Sequence, residues 1–281
     1  MTAGAFNKTR LAPTPSGFLH LGNVLSFMIT DSLAKQTNAR VMLRIDDIHR
    51  EKVQTAYIED IFDTLHFMGI DWQEGPRNLD EFEREWSQLH RLPLYDNALQ
   101  KLRSSGHLFA CNCSHAQIWN ENPGGSYPGT CRNKMLSLDM PGVTWRVRTD
   151  KDMKLHVRVL EGDVIESILP ASMQDFAVRK QNGLPSYQLS ALVDDVHFGV
   201  DLIVRGQDLW PSTLSQLYLA AILEIPAFSN ITFLHHALLE AAPGQKLSKS
   251  AGDTSIQYLR KHGMTREDIV AAISKMTTLV L

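Results

Sequence analysis

His20-Leu21-Gly22-Asn23 and Lys246-Leu247-Ser248-Lys249 stand near opposite ends of a 281-residue chain, and both offer groups suited to a polyphosphate. The first follows a strand-like piece at Thr9-Arg10-Leu11 and a loop built on Pro13, Pro15 and Gly17, and it opens a helical run over 24–36. Strand, glycine-bearing loop and helix N-terminus place backbone N–H groups and the helix dipole where an anion is favoured. His20 adds a side-chain donor, and Gly22 lets a flat ligand approach the backbone. The second group sets two ammonium groups three residues apart in a polar, glycine-flanked loop, matching the charge of a polyphosphate leaving group. Neither signal is specific alone. Turns of the first kind commonly feed a core helix, and a lone Lys-x-x-Lys is commonly a solvated loop.

A third group is made of sulfur. Cys111 and Cys113 place two thiolates on one knuckle, and Cys131 returns a third from across a loop marked by Gly124 and Gly125. These are all the cysteines in the chain, and their clustering suits a metal better than disulfides. Tetrahedral zinc needs a fourth ligand, which Tyr127, His115 or water could supply. Two further positions carry charge at strand ends. Asp46 and Asp47 follow the buried strand pattern 40–45, where ligands bind in open α/β sheets. Arg205 closes the strand pattern 201–206, well placed to grip a carboxylate through two parallel bonds. Tyr187, by composition alone, reads as a core tyrosine with its hydroxyl satisfied.

The elements that position these groups alternate between strand and helix. Ile58, Ile61, Phe62, Leu65 and Met68 recur at helical spacing until Gly69, and a second stripe runs from Leu89 to Leu102. Strand patterns follow at 143–148, in short pieces to about 169, and at 231–235. Ser212 is the expected N-cap of a helix carrying Leu214, Leu217, Tyr218, Ala221 and Ile222. Two helical patterns close the chain, at 255–262 and 265–276. The length allows one nucleotide-binding domain with an insertion and a short tail. A net charge of -3 argues against a generically basic nucleic-acid coat protein while leaving room for a local basic face. The N-terminus has no apolar secretory region and no apolar run approaches a membrane span, so a soluble cytoplasmic protein is expected.

In order, Arg10-Leu-Ala-Pro-Thr-Pro-Ser-Gly, His20-Leu-Gly-Asn, Arg44-Ile-Asp-Asp, Gly69-Ile-Asp-Trp, Cys111-x-Cys, Tyr187, Val193-Asp194-Asp195, Val204-Arg205-Gly206 and Lys246-Leu-Ser-Lys-Ser follow one another. The set resembles the catalytic half of glutamyl-tRNA synthetases, within class I aminoacyl-tRNA synthetases, over nearly the whole chain. The short span beyond the lysine loop, with Cys111, Cys113, Tyr127 and Cys131 at matching positions, is similar to the glutamyl-queuosine tRNA(Asp) synthetases. That family activates glutamate without tRNA and transfers it to queuosine in the anticodon of tRNA(Asp).

The resemblance implies a Rossmann-type α/β fold, a doubly wound parallel sheet with a small zinc-binding insertion and a short C-terminal helical extension. Residues 1–110 would form the first half of the catalytic domain, 111–168 the insertion and 169–235 the second half. Residues 236–281 would hold the lysine loop and a helical tail, with no anticodon-binding domain. Carried over by position, Arg10, Ala12, Thr14, Asp46, Tyr187 and Arg205 form the glutamate pocket. His20, Gly22, Asn23, Lys246 and Lys249 bind ATP with Mg2+, and His20, Lys246 and Lys249 act in catalysis. Tyr127 becomes the fourth ligand of a structural zinc. The implied partners are ATP, L-glutamate and tRNA(Asp) carrying queuosine, with no membrane, and the implied state is a monomer.

Two departures bear on this reading. The family usually has Glu at the position of Asp46, one methylene longer, so the contact to the substrate α-ammonium is lengthened or water-bridged. The loop also ends in Lys249-Ser250, closer to full-length synthetases, which keeps charging of a tRNA 3′ end as an alternative. A nucleotidyltransferase making a small adenylate without RNA, and a non-catalytic RNA-binding paralogue, are the other rivals. The intact His20, Lys246 and Lys249 count against the last.

Overall fold

The computed structural model describes residues 5–124, 126–242, 245–246 and 255–277. The chain runs through β1 (Lys8–Leu11), α1 (Leu21–Thr37), β2 (Arg40–Leu43), α2 (Thr55–Met68), the single turn α3 (Leu79–Glu81) and α4 (Leu92–Ser104). It continues through β3 (Leu108–Cys111), α5 (His115–Glu121), β4 (Thr144–Val147), β5 (Lys154–Val159), β6 (Val164–Ile168), β7 (Ala177–Arg179) and α6 (Tyr187–His197). Then come β8 (Leu202–Gly206), α7 (Trp210–Ile222), α8 (Pro226–Ser229), β9 (Thr232–His236), β10 (Glu240–Ala242), β11 (Gln245–Lys246), α9 (Ile256–Lys261) and α10 (Arg266–Lys275). Two compact units result. Met1–His90, Val200–Asp208 and Phe233–Leu281 form the first, and Arg91–Gly199 with Leu209–Thr232 the second.

In the first unit the strands lie in the order β2-β1-β8-β9. β1 pairs in parallel with β2 from Lys8↔Arg40 to Leu11↔Leu43, and with β8 at Thr9↔Leu202. Parallel neighbours require a crossover, and α1 is that crossover, packed against β1, β2 and β8. Its buried side chains (Leu21, Val24, Leu25, Phe27 and Ile29 among them) join Leu11, Val41, Leu43 and Val204 in one core with Ile58, Ile61 and Leu65 of α2. This is the α/β architecture expected from the sequence. The helix begins at Leu21, earlier than the 24–36 pattern, because His20 takes the N-cap position with extended backbone. The Asn23 side chain accepts the His20 N–H at 3.0 Å and closes that first turn. Asn38, left-handed at φ 57°, ends it, and Gly69 at φ 65° ends α2 as expected.

The second unit holds an antiparallel sheet, β3-β4-β7, and an antiparallel β5–β6 hairpin. α4 is bound to α6 by a buried fork. Arg91 Nε and Nη2 donate to the two oxygens of Asp194 at 2.7 and 3.0 Å, and the Tyr95 hydroxyl donates to the same carboxylate at 2.7 Å. One expectation is corrected here. Ser212 is not the N-cap of α7: Leu209 is, and Pro211 sits in the first turn, where its missing N–H costs nothing. Ser212 instead accepts from Gln188 Nε2 at 3.1 Å.

Among the described residues no helix is long and apolar enough to cross a membrane.

Two features of the first unit yield expectations for stability. Residues 73–75 run beside β2, with Gln73 N–H donating to Val41 O at 2.8 Å and Leu43 N–H to Glu74 O at 2.8 Å. Gly75 stands at φ 113°, and a Cβ there would lie 2.2 Å from Leu43 O. Gly75→Ala should therefore cost about 2 kcal/mol or more, read as a lower urea midpoint. On β9, burial and the neighbouring Arg205 and His236 push the His235 imidazole down from 6.5 to about 4. The unfolded chain protonates near 6.5 and the folded one does not, so this contribution is complete above pH 6.5 and is lost toward pH 4. His235→Gln should flatten the pH dependence of the urea midpoint across that window; an unchanged slope would remove His235 as its source.

Candidate active site and cysteine cluster

The backbone ladder of the first unit continues past its strands. Arg44 N–H donates to Leu11 O and Asp46 N–H donates to Pro13 O, each at 2.9 Å. The loop from Ala12 to Thr14 is thereby held alongside Asp46. Arg10, on β1, is buried and donates through Nη1 to Val204 O on β8 at 3.3 Å. Arg205, one residue further along β8, is buried and lies with its guanidinium 5.7 Å from the Phe233 ring centre. Two guanidiniums are thus brought to adjacent strands, near the ends from which the site loops emerge. Gly206 is required next to them, since a Cβ there would meet Asp208 Oδ1 at 2.6 Å and Leu238 at 2.9 Å.

The paired carboxylates after β2 have separate roles. Asp46 accepts from Arg44 Nε at 2.6 Å and Arg44 Nη2 at 3.1 Å, both residues being buried. Residues two apart in extended chain share a face, and this places arginine and carboxylate together. Asp47 accepts from Ser87 Oγ at 2.6 Å, Gln88 N–H at 2.7 Å and Arg50 Nη1 at 2.9 Å. It is a clasp between this loop and the segment before α4.

The loop before His20 is fixed from both sides. Leu19 N–H donates to Asp60 Oδ2 of α2 at 2.8 Å, and Ile256 N–H donates to Leu19 O at 2.8 Å. His20 bridges Ser255 in antiparallel fashion, so the chain emerging from the lysine segment returns to the His20 loop. Gly22 has a purpose beyond ligand approach: a Cβ on it would stand 3.1 Å from His20 Cε1. His20 and Asn23 are both half-buried. One linkage left no trace in the sequence. His236 Nδ1 donates to Ala237 O at 2.8 Å, so Nε2 accepts from Ser26 Oγ, 2.6 Å away, and ties α1 to β9. Lys249 lies outside the described residues, as does the side chain of Lys246, whose backbone is in β11.

The second unit carries the other sequence-identified groups. Tyr187 is the first residue of α6 and is half-buried, so it is not the core tyrosine that composition suggested. Cys111 ends β3, and Ser114 caps α5 just after Cys113. The sulfurs of Cys111, Cys113 and Cys131 lie within 4.8 Å of one another. The Tyr127 hydroxyl accepts the Cys131 N–H at 2.7 Å. His115 is not part of the group. Burial and the neighbouring Cys131 push the Cys113 thiol up to about 12. Burial also opposes ionisation of Cys131, but hydrogen bonds from the Asn112 backbone, Cys113 and Tyr127 outweigh it and hold that thiol below its ordinary value. Three sulfurs and a phenol oxygen in this space could bind a metal ion.

The family model for tRNA synthetases class I (E and Q), catalytic domain, matches residues 7–279. A protein named Glutamyl-Q tRNA(Asp) synthetase from Symbiobacterium thermophilum is 32% identical, over 96% of this chain and 86% of its own length. A Glutamate--tRNA ligase from Desulfosudis oleivorans is 30% identical over 95% of this chain, which spans only 56% of that protein. The crystal structure of a glutamate-tRNA synthetase from Elizabethkingia anophelis superposes with TM-score 0.73 at 20% identity, covering 92% of this chain and 54% of the other. That likeness extends the Rossmann-like α/β reading of the fold. The chain belongs to the class I tRNA synthetases of the E and Q type.

Proposed function

We propose that this protein activates glutamate with ATP as glutamyl-adenylate and transfers the glutamyl group to queuosine in tRNA(Asp). The observation that carries the pocket is the placement of two buried guanidiniums, Arg10 and Arg205, on adjacent strands of the unit whose His20 loop opens α1. A relative named Glutamyl-Q tRNA(Asp) synthetase, matched over 96% of this chain, supports the acceptor. In this reading Arg205 pairs the substrate side-chain carboxylate and Arg10 adds positive potential beside it. Asp46 faces the α-ammonium while Arg44 holds its carboxylate in place, and Ala12, Thr14 and Tyr187 complete the set assigned by resemblance.

The reaction needs little proton transfer. An oxygen of the glutamate α-carboxylate forms a bond to the α-phosphorus of ATP, and the bond from that phosphorus to the bridging oxygen breaks, releasing pyrophosphate. Positioning and charge stabilisation then supply most of the rate. His20 donates to the phosphate, Gly22 and Asn23 shape the helix start around the nucleotide, and Lys246 and Lys249 neutralise the leaving group. Mg2+ bound with ATP would supply further screening of the phosphate charge. Acyl transfer to the RNA acceptor then releases AMP. We place the protein in the cytoplasm as a monomer, with residues 111–168 as an insertion stabilised by zinc.

The metal reading has a direct test. Sulfurs bound to one zinc at about 2.3 Å stand about 3.8 Å apart, compatible with the spacing here. Freshly reduced protein should carry about one zinc per chain, with Cys111, Cys113, Cys131 and Tyr127 as ligands. Metal analysis finding none would reject the zinc and leave adenylation standing.

The pocket is tested by glutamate-dependent ATP–pyrophosphate exchange across all twenty amino acids. Arg205→Leu should weaken glutamate binding by on the order of 2–5 kcal/mol, and Arg205→Lys should restore only part of it, since ammonium lacks the fork. Another amino acid exchanging faster than glutamate, or Arg205→Leu matching the parent, would reject the assignment. Locating labelled glutamate on tRNA with and without queuosine separates transfer to the modified base from charging of a 3′ end.

A further inference from the structure

α5, β4 and β7 line an open cavity of about 210 Å3 that the adenylation chemistry does not use. Its lining includes His115, Ile118 and Trp119 from α5, Arg146 from β4, and Tyr127 and Gln174. His115 and Trp119 stand four apart on the helix and share a face. Trp119 is 52% exposed, unusual for the largest aromatic side chain. Opposite it, the Arg146 guanidinium lies 3.8 Å from the centre of the Tyr127 ring and donates through Nη1 to Asp175 O at 2.9 Å. A ring and a carbonyl hold this arginine beside the cavity, and no ion pair to it occurs among the described residues, the nearby Asp175 carboxylate being paired with Arg132.

Arg148, two residues along on the same face, stands 5.3 Å from the Phe109 ring centre and donates through Nη2 to Arg132 O at 2.7 Å, just outside the cavity lining. An exposed ring beside arginines is the composition of surfaces that grip single-stranded nucleic acid, where bases stack and cations follow the backbone, and here Trp119 is that ring while Tyr127 and Phe109 are buried beneath the arginines. The sequence, with its scattered basic residues, did not reveal this face. The cavity is smaller than the about 300–1,000 Å3 of sites for drug-sized molecules, which suits one flat ring system rather than a folded peptide.

We infer that this cavity binds one unstacked nucleobase of the RNA substrate, with Trp119 as the stacking platform and Arg146 and Arg148 holding the adjoining phosphates. The inference rests on the reading of the protein as a tRNA-dependent enzyme and adds an RNA contact on the second unit.

The test compares the full chain with Trp119→Ala and Trp119→Phe. Binding of bulk bacterial tRNA and of a 12-base-pair RNA duplex is measured by filter retention at fixed salt. Trp119→Ala should weaken tRNA binding about tenfold, the loss of one base stack, and Trp119→Phe should stay within about threefold of the parent. Duplex binding should be unchanged, having no unstacked base to offer. Photocrosslinking of tRNA to the parent should place adducts in the peptide containing His115 and Trp119. Equal tRNA affinity in Trp119→Ala, or an equal loss on the duplex, would overturn the inference. So would binding of free AMP, GMP, CMP or UMP at the cavity without competition against tRNA. Pyrophosphate exchange without RNA, read on the same preparations, reports on adenylation separately. Intact exchange with unaltered tRNA binding in Trp119→Ala rejects the base site alone, whereas a parent that neither exchanges nor binds tRNA rejects both readings.

Discussion

Leu19 is the residue on which the candidate site turns, because both of its peptide groups are committed. Its N–H is taken by the Asp60 carboxylate and its C=O by Ile256 N–H, each at 2.8 Å. A loop residue buried without such partners would leave orphaned polar groups, which cost about as much as a lost hydrogen bond. The two bonds tie three distant stretches together: the segment before α1, the body of α2 and the start of α9. His20 follows at once, so its position on the helix N-terminus derives from that tie. Asp60 bears the cost, since burial pushes its carboxyl up from the ordinary carboxylate value against the pull of the Leu19 N–H and Arg260. Its second oxygen is buried with no hydrogen-bond partner among the described residues. Such a group is retained where it fixes a conformation rather than where it adds stability.

Much of the frame was legible from local signals. The spacing of Ile58, Ile61, Leu65 and Met68 marked the buried side of α2, and Gly69 its end, because helical period and left-handed termination are written within a few residues. Arg205 at the end of a buried strand was legible for the same reason, as was the grouping of Cys111, Cys113 and Cys131. Resemblance to a known family then gave those positions roles that spacing alone did not provide.

What stayed hidden depends on pairs far apart in the chain or on one element overriding another. Asp194 stood in the sequence as part of a motif, but it accepts the Arg91 fork from 103 residues away and serves packing. Asp47 looked equivalent to Asp46, yet it clasps Ser87 and Gln88 while Asp46 accepts from Arg44. No periodicity encodes which of two adjacent carboxylates meets which partner. Ser212 had the right chemistry for a cap and lost the position to a start set by Leu209 and Pro211. Tyr187 was misjudged because composition says how often tyrosines are buried, not that this one opens a helix.

The buried charges of the first unit also explain why histidine contributes so little to the proposed chemistry beyond His20. His235 and His236 stand on β9, His235 near the guanidinium of Arg205, and burial holds both below the ordinary imidazole value. A protonated imidazole there would add another unit charge in a region of low dielectric, where repulsion from Arg205 is strong. Kept neutral, His236 can accept from Ser26 and fasten α1, while the positive charge on that side belongs to arginine alone. A guanidinium does not deprotonate at any physiological pH and presents a fixed fork. In the proposed pocket a carboxylate would meet a geometry that an amide cannot match, and preference for glutamate over glutamine would follow from that fork without a dedicated general acid or base.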